Sequence, residues 1–171
     1  MVAASAVLLV GCSGAQTTAT PQTTGSSSPA GATPTSRPAA TPTTGPSATR
    51  AKPGTVIKTA SSQFGEILFD GTGQAIYLFD KEKATKAECY GECAEAWPPV
   101  LTKGSPVAAG GADTHALGTT TRTDGSTQVT YGRHPLYYYA HEGKNEVRCH
   151  NVREYGGRWL VLTPAGEAAA S

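Results

Sequence analysis

Two stretches decide the fold of this chain: IYLFDKEKATKAEC at residues 76–89 and LYYYAHEGKNEVRC at residues 136–149. Aligned, they place Tyr77 on Tyr137, Phe79 on Tyr139 and Glu82 on Glu142. In each, a cysteine follows the tyrosine by twelve residues, Cys89 in the first and Cys149 in the second. Trp97 then corresponds to Trp159 with a two-residue slip, and a short apolar run follows each, PPVLT or LVLT. Self-similarity at this many positions indicates one supersecondary unit used twice.

The unit reads as β-rich. TVIKTA and GEILF are short β-prone runs, and DGTG supplies a turn before QAIYLF. In the second copy TTTRT, TQVTY and PLYYYA are separated by DGS and GRH. Both copies carry Asp-Gly, at Asp70-Gly71 and Asp124-Gly125, a hairpin signal. Glu92 and Glu95 suit a helix start and Pro98 ends it, so a short helix is expected over about Glu92–Ala96. NVREYGGRW, with two glycines, reads as a loop. The expected fold class is mainly β with a short helix: two tandem antiparallel β repeats forming one pseudo-symmetric domain. The first repeat covers 53–103, a connection 104–118, and the second repeat with a short tail 119–171.

Strand alternation assigns faces. Tyr77 and Phe79 point one way and Ile76 and Leu78 the other, so the first central strand is apolar on both sides and reads as buried on both. Tyr77 and Phe79 read as core rather than as a ligand platform. Tyr138 is the best candidate for an exposed aromatic.

Before the repeats the composition changes. Val2–Val10 is apolar or small, too short to span a bilayer, and reads as the core of an export signal over 1–11. LVGC, ending at Cys12, resembles the bacterial lipobox, which implies lipid on the Cys12 thiol and cleavage before it. No Lys or Arg precedes the apolar run, so a start further upstream is expected. Residues 12–52 are almost wholly Thr, Ser, Pro, Gly, Ala and Gln, with Arg37, Arg50 and Lys52 as the only charges. Such a segment reads as a disordered stalk, open to O-glycosylation. All 13 acidic residues lie beyond it, intermixed with basic ones, and the formal net charge is +1. That pattern gives no support for nucleic-acid binding or for strong attraction to anionic lipid.

An aromatic strand with Tyr-x-aromatic-x-x-acid, followed by CYGECAEAWPPVL, resembles the bacterial secreted-repeat lipoproteins, whose signature is Tyr-x-(Phe/Trp/Tyr)-x-x-Asp. Here it reads YLFDKE and YYYAHE, with Glu82 and Glu142 at the acidic position. DGSTQVTYGRHPLYYY is similar to another of the family's blocks. The resemblance covers the whole folded part. It implies a surface or secreted lipoprotein with tandem repeats and no catalytic mechanism.

The chemistry on offer is limited. There is no Gly-x-Ser-x-Gly, no His-Glu-x-x-His, no phosphate-binding glycine loop and no Cys-x-x-Cys-His. His115, His134, His141 and His150 are scattered. No catalytic residues and no cofactor are assigned. With Cys12 lipidated, three cysteines remain. A Cys89–Cys93 disulfide is expected, because Gly91 interrupts the pair and lets the two approach, with Cys149 a buried free thiol and Trp97 packed against the bridge. One alternative joins Cys149 to Cys89 or Cys93. Another is a soft metal site of Cys89, Cys93, Cys149 and His150, suited to copper or zinc.

Two functions follow. The first is a non-catalytic binding or structural module, held by N-terminal lipid on the extracytoplasmic face of the cell membrane, whose partner is an envelope protein or small ligand. The alternative is a redox or metal-handling surface lipoprotein, associated with copper or haem.

Overall fold

The computed structural model describes residues 53–171. The expected signal at 1–11, the lipid site at Cys12 and the stalk over 12–52 lie outside the described residues. In chain order the elements are β1 (Pro53–Ser62), β2 (Gly65–Asp70), β3 (Tyr77–Phe79), α1 (Glu92–Ala96), β4 (Ser105–Ala109), β5 (Leu117–Thr121), β6 (Thr127–Tyr131), β7 (His134–Pro135), β8 (Val152–Glu154) and β9 (Gly157–Val161). They form three small sheets, ordered β2-β1-β4, β3-β9-β8 and β5-β6-β7. Residues 53–171 are mainly β with one short helix, as the sequence indicates.

The repeat is visible in the strand registers. The β1–β2 hairpin runs from Ile57 opposite Asp70 to Ser62 opposite Gly65. The β5–β6 hairpin runs from Leu117 opposite Tyr131 to Thr121 opposite Thr127. Matching the pairs puts Leu68 on Val129, Ile67 on Gln128 and Ser62 on Arg122. The two Asp-Gly turns are not equivalent, however. Asp70-Gly71 leads from β2 towards β3, whereas Asp124-Gly125 joins β5 to β6. At the place equivalent to the first, the second repeat uses Gly132 and Arg133, both with positive φ (55° and 71°).

Each repeat completes the other's sheet. Backbone N–H of Leu68 donates to the Leu162 carbonyl at 2.9 Å, and that of Val129 to the Val100 carbonyl at 2.8 Å. Thus the run after each tryptophan crosses to the opposite repeat. β9 lies antiparallel to β3, with Tyr77 opposite Val161, and Pro99 is bridged to Tyr137 in the same way. At the centre Tyr77 and Tyr137 exchange both backbone hydrogen bonds at 2.9 Å each.

The central strands separate two core clusters, as alternation requires. Tyr77, Phe79, Tyr137, Trp97, Trp159, Cys89 and Cys149 fill the first, with Tyr139 packed against it. Ile76, Leu78, Leu136, Val100, Leu160 and Leu162 fill the second. β3 is therefore buried on both faces.

The 104–118 connection contains β4, which lies parallel to β1 while every other pairing of named strands is antiparallel. Two expectations are corrected. NVREYGGRW is not a loop but the β8–β9 hairpin. Its turn residues Tyr155 and Gly156 both adopt positive φ (52° and 83°), the hand that suits a two-residue hairpin turn. Tyr138 is not an exposed aromatic. It is half-buried against the second core cluster, and its hydroxyl donates to Asp70 Oδ2 at 3.1 Å.

Candidate functional site

The repeat motif residues meet at the pseudo-twofold axis. The Tyr77 hydroxyl donates to Glu142 Oε1 at 2.6 Å, and the Tyr137 hydroxyl to Glu82 Oε1 at 2.5 Å. Each tyrosine therefore serves the acid of the other repeat. The same carboxylate oxygen also accepts a backbone N–H six residues further on, from Glu88 at 2.7 Å in the first repeat and from Arg148 in the second. Cys89 and Cys149 follow immediately. This explains the spacing: the acid closes the loop that brings the cysteine back to the core. Glutamate fills the role in both repeats, so the longer side chain is accommodated.

Both acids are buried, and each keeps its Oε2 buried without a partner. Burial pushes both carboxyls above their ordinary value, against the opposing pull of the tyrosine and backbone donors. Burial, then the facing carboxylates, pushes the phenols of Tyr77 and Tyr137 far above theirs. Asp70 behaves differently. Burial would raise it, but the Gln74 and Thr72 N–H groups and the Thr72 and Tyr138 hydroxyls hold it below the usual range.

The raised acids make stability depend on pH with a definite sign. In the unfolded chain Glu142 titrates at its ordinary value of 4.5, and in the folded protein above it. Its contribution is complete below the ordinary value and is lost as pH rises through the raised one. Glutamine mimics the protonated acid and does not titrate. The stability of Glu142→Gln relative to wild type is therefore expected to improve as pH rises above the ordinary value of 4.5 in urea unfolding. Parallel stability curves would show that Glu142 carries no raised pKa.

Four aromatic rings stack across the axis. Trp159 lies flat on Phe79 (centroids 4.2 Å, 3° between planes) and on Trp97 (4.1 Å, 3°). Trp97 packs in turn on Tyr139 at 4.8 Å and 40°. Tyr77 meets Trp97 edge-on at 5.2 Å, and Tyr137 meets Trp159 edge-on at 5.3 Å. The second aromatic of each motif thus covers the tryptophan of the other repeat. The Trp97 indole N–H donates to Glu154 Oε2 at 2.9 Å, while that of Trp159 is buried without a partner.

The cysteines resolve as follows. Cys89 and Cys93 form a disulfide with Cα atoms 5.3 Å apart. Gly91, at φ 55°, breaks the chain before α1, so Cys89 sits in the loop and Cys93 in the first helical turn. Trp97 shares their core cluster, as expected. Cys149 is buried there too, but it is not a free thiol, and the expectation of one is corrected. The soft metal set is corrected also. The sulfurs of Cys89 and Cys93 are bonded to each other, and His150 Nδ1 accepts the Val161 N–H at 3.2 Å.

Sequence reading missed Arg122 and Glu154, whose partners lie across the repeat interface, and Gln128, which holds Arg122 from within the same repeat. The Arg122 guanidinium is 4% exposed and donates to Gln128 Oε1 and to the Cys89 carbonyl, both at 2.7 Å. The only available signal was an arginine two residues before Asp124-Gly125.

Towards solvent, two adjoining clefts of about 720 and 520 Å³ share Thr102, Lys103 and Thr127. Their linings are rich in threonine, serine and glycine, and Lys103 is their one charged residue.

The fold and its centre define a tandem-repeat β protein in which two copies of one motif share a single interior. A family model described as a secreted repeat of unknown function matches residues 58–101 and 118–163, together more than half of the chain. The chain belongs to that family. No curated protein and no solved structure matches it.

Proposed function

We propose that this chain is a non-catalytic module of the bacterial cell envelope, held to the extracytoplasmic face of the membrane by lipid on Cys12, with residues 12–52 as its tether. One observation carries the non-catalytic reading. The groups with chemistry to offer, Glu82, Glu142, Tyr77, Tyr137 and the Cys89–Cys93 pair, are buried and joined to one another. The described clefts that reach solvent bring together no acid, histidine or cysteine. A nucleophile, a base and an orienting group in one accessible place are what catalysis requires. Membership of a secreted-repeat family supports an extracytoplasmic location, and LVGC supports the lipid. The partner is an envelope protein or small ligand taken at the surface.

The test is made on protein expressed behind a complete export signal and extracted from membranes. Intact mass is expected to begin at Cys12 with an added diacylglyceryl group, and Cys12→Ser is expected to abolish both the added mass and membrane retention. Metal analysis of the same material is expected to find no stoichiometric copper, zinc or haem. An unmodified Cys12 in the membrane fraction overturns the anchor. A stoichiometric metal overturns the non-catalytic, metal-free reading.

A further inference from the structure

The two repeats are related but unlike, and the differences lie where they touch. At the tip of its first hairpin each repeat reaches the residue after the other's motif cysteine. In one direction the Arg122 guanidinium lies over the Tyr90 ring, 4.3 Å from its centroid, and donates to the Cys89 carbonyl at 2.7 Å. In the other, Phe64 packs on the His150 ring at 4.4 Å and the Gln63 side-chain amide donates to the Val147 carbonyl at 2.9 Å. Tyr90 and His150 hold equivalent places, one residue after Cys89 and Cys149.

We propose that each hairpin tip is a recognition element for the unlike repeat, so that the surface of the first repeat is a binding site for a repeat of the second kind and rejects its own kind. Arg122 is the main determinant. Where the second repeat has Arg122 and Gln128, the first has Ser62 and Ile67. In a pair of first repeats, the Cys89 carbonyl would lose its charged donor and find serine and isoleucine instead. In a pair of second repeats, two buried guanidinium groups would each face a His150 loop instead of the Tyr90 face. Gln128 and Asp124 stay with Arg122 in either pairing, and the observed pairing adds the Cys89 carbonyl and the Tyr90 face, without which the buried cation is costly. Glu154 adds to the selection, since it accepts the Trp97 indole N–H and leaves the Trp159 indole unpartnered.

The test uses the full chain carrying Cys12→Ser, which keeps lipid off and leaves no cysteine outside the repeats. A protease site placed between Gly111 and Ala112 is cut in the folded protein, the halves are separated in urea, and they are diluted back together. Native mass spectrometry then counts the pairs. Unlike pairs are expected to exceed the random mixture by about tenfold or more, the preference that one charged hydrogen bond supplies. Arg122→Ser with Gln128→Ile, which gives the second hairpin the residues of the first, is expected to lower that excess towards the random ratio. The wild-type count decides by itself if the variant halves do not refold. A random mixture of wild-type pairs overturns the proposal, as does failure of the wild-type halves to rejoin. Retention of the full excess by the doubly substituted halves removes Arg122 as its determinant and overturns the proposal as stated.

Discussion

Trp159→Ala is expected to destabilise the domain by about 3–5 kcal/mol, the range for deleting a fully buried aromatic side chain. Trp159 has no exposed surface, and it is the ring on which the others rest. Phe79 covers one side at 4.2 Å, Trp97 the other at 4.1 Å, and Tyr137 meets it edge-on. Removing it leaves a cavity bounded by residues of both repeats, which cannot close without shifting the Tyr77–Tyr137 backbone pair. Its indole N–H has no partner, so the loss is one of packing and not of a hydrogen bond. Trp159→Phe keeps a flat ring in the stack and is expected to cost much less. Urea unfolding followed by far-ultraviolet circular dichroism measures both. A loss below about 1 kcal/mol for the alanine variant would show that the stack does not organise the core.

How much of this was legible in the sequence follows from what each feature depends on. Local periodicity and turn chemistry give the β class, the helix at Glu92–Ala96 and the two faces of β3. The repeat is legible because it is written twice. The Cys89–Cys93 bond is legible because Gly91 marks the break that permits it. What the repeat does not reveal is which copy of each partner is used. Tyr77 could pair with Glu82 or with Glu142 on spacing alone, and only the crossing of the strands selects the second. β4 was missed because SPVAA lacks strong alternation, and its pairing to β1 is set by the fold around it. The β8–β9 hairpin was missed because Tyr155 takes a backbone conformation that tyrosine seldom adopts. Arg122 reads as a surface charge until Tyr90 and the Cys89 carbonyl are brought to it by the other repeat.

The crossing of the strands also decides what one repeat can do by itself. Residues 53–103 expressed alone as a monomer are expected to be unfolded, a loss of the whole folding transition. The fragment retains the β1–β2 hairpin and β4 is absent from it, so the sheet it carries is a two-stranded one, marginal in water. β3 loses β9 on one side and the Tyr137 backbone on the other. Glu82 loses the Tyr137 hydroxyl and Tyr77 loses Glu142, while Phe79 and Trp97 lose Trp159 between them. Only the short Cys89–Cys93 loop remains stapled, and closing so few residues contributes little by the chain-entropy account. Extending the fragment to Gly111 restores β4 against β1 but none of the contacts across the axis. Amide dispersion by NMR at low concentration is the measurement. A narrow spectrum that disperses on addition of residues 112–171 is the expected outcome for the extended fragment, and well-dispersed amides from 53–103 alone would refute the dependence of each repeat on the other.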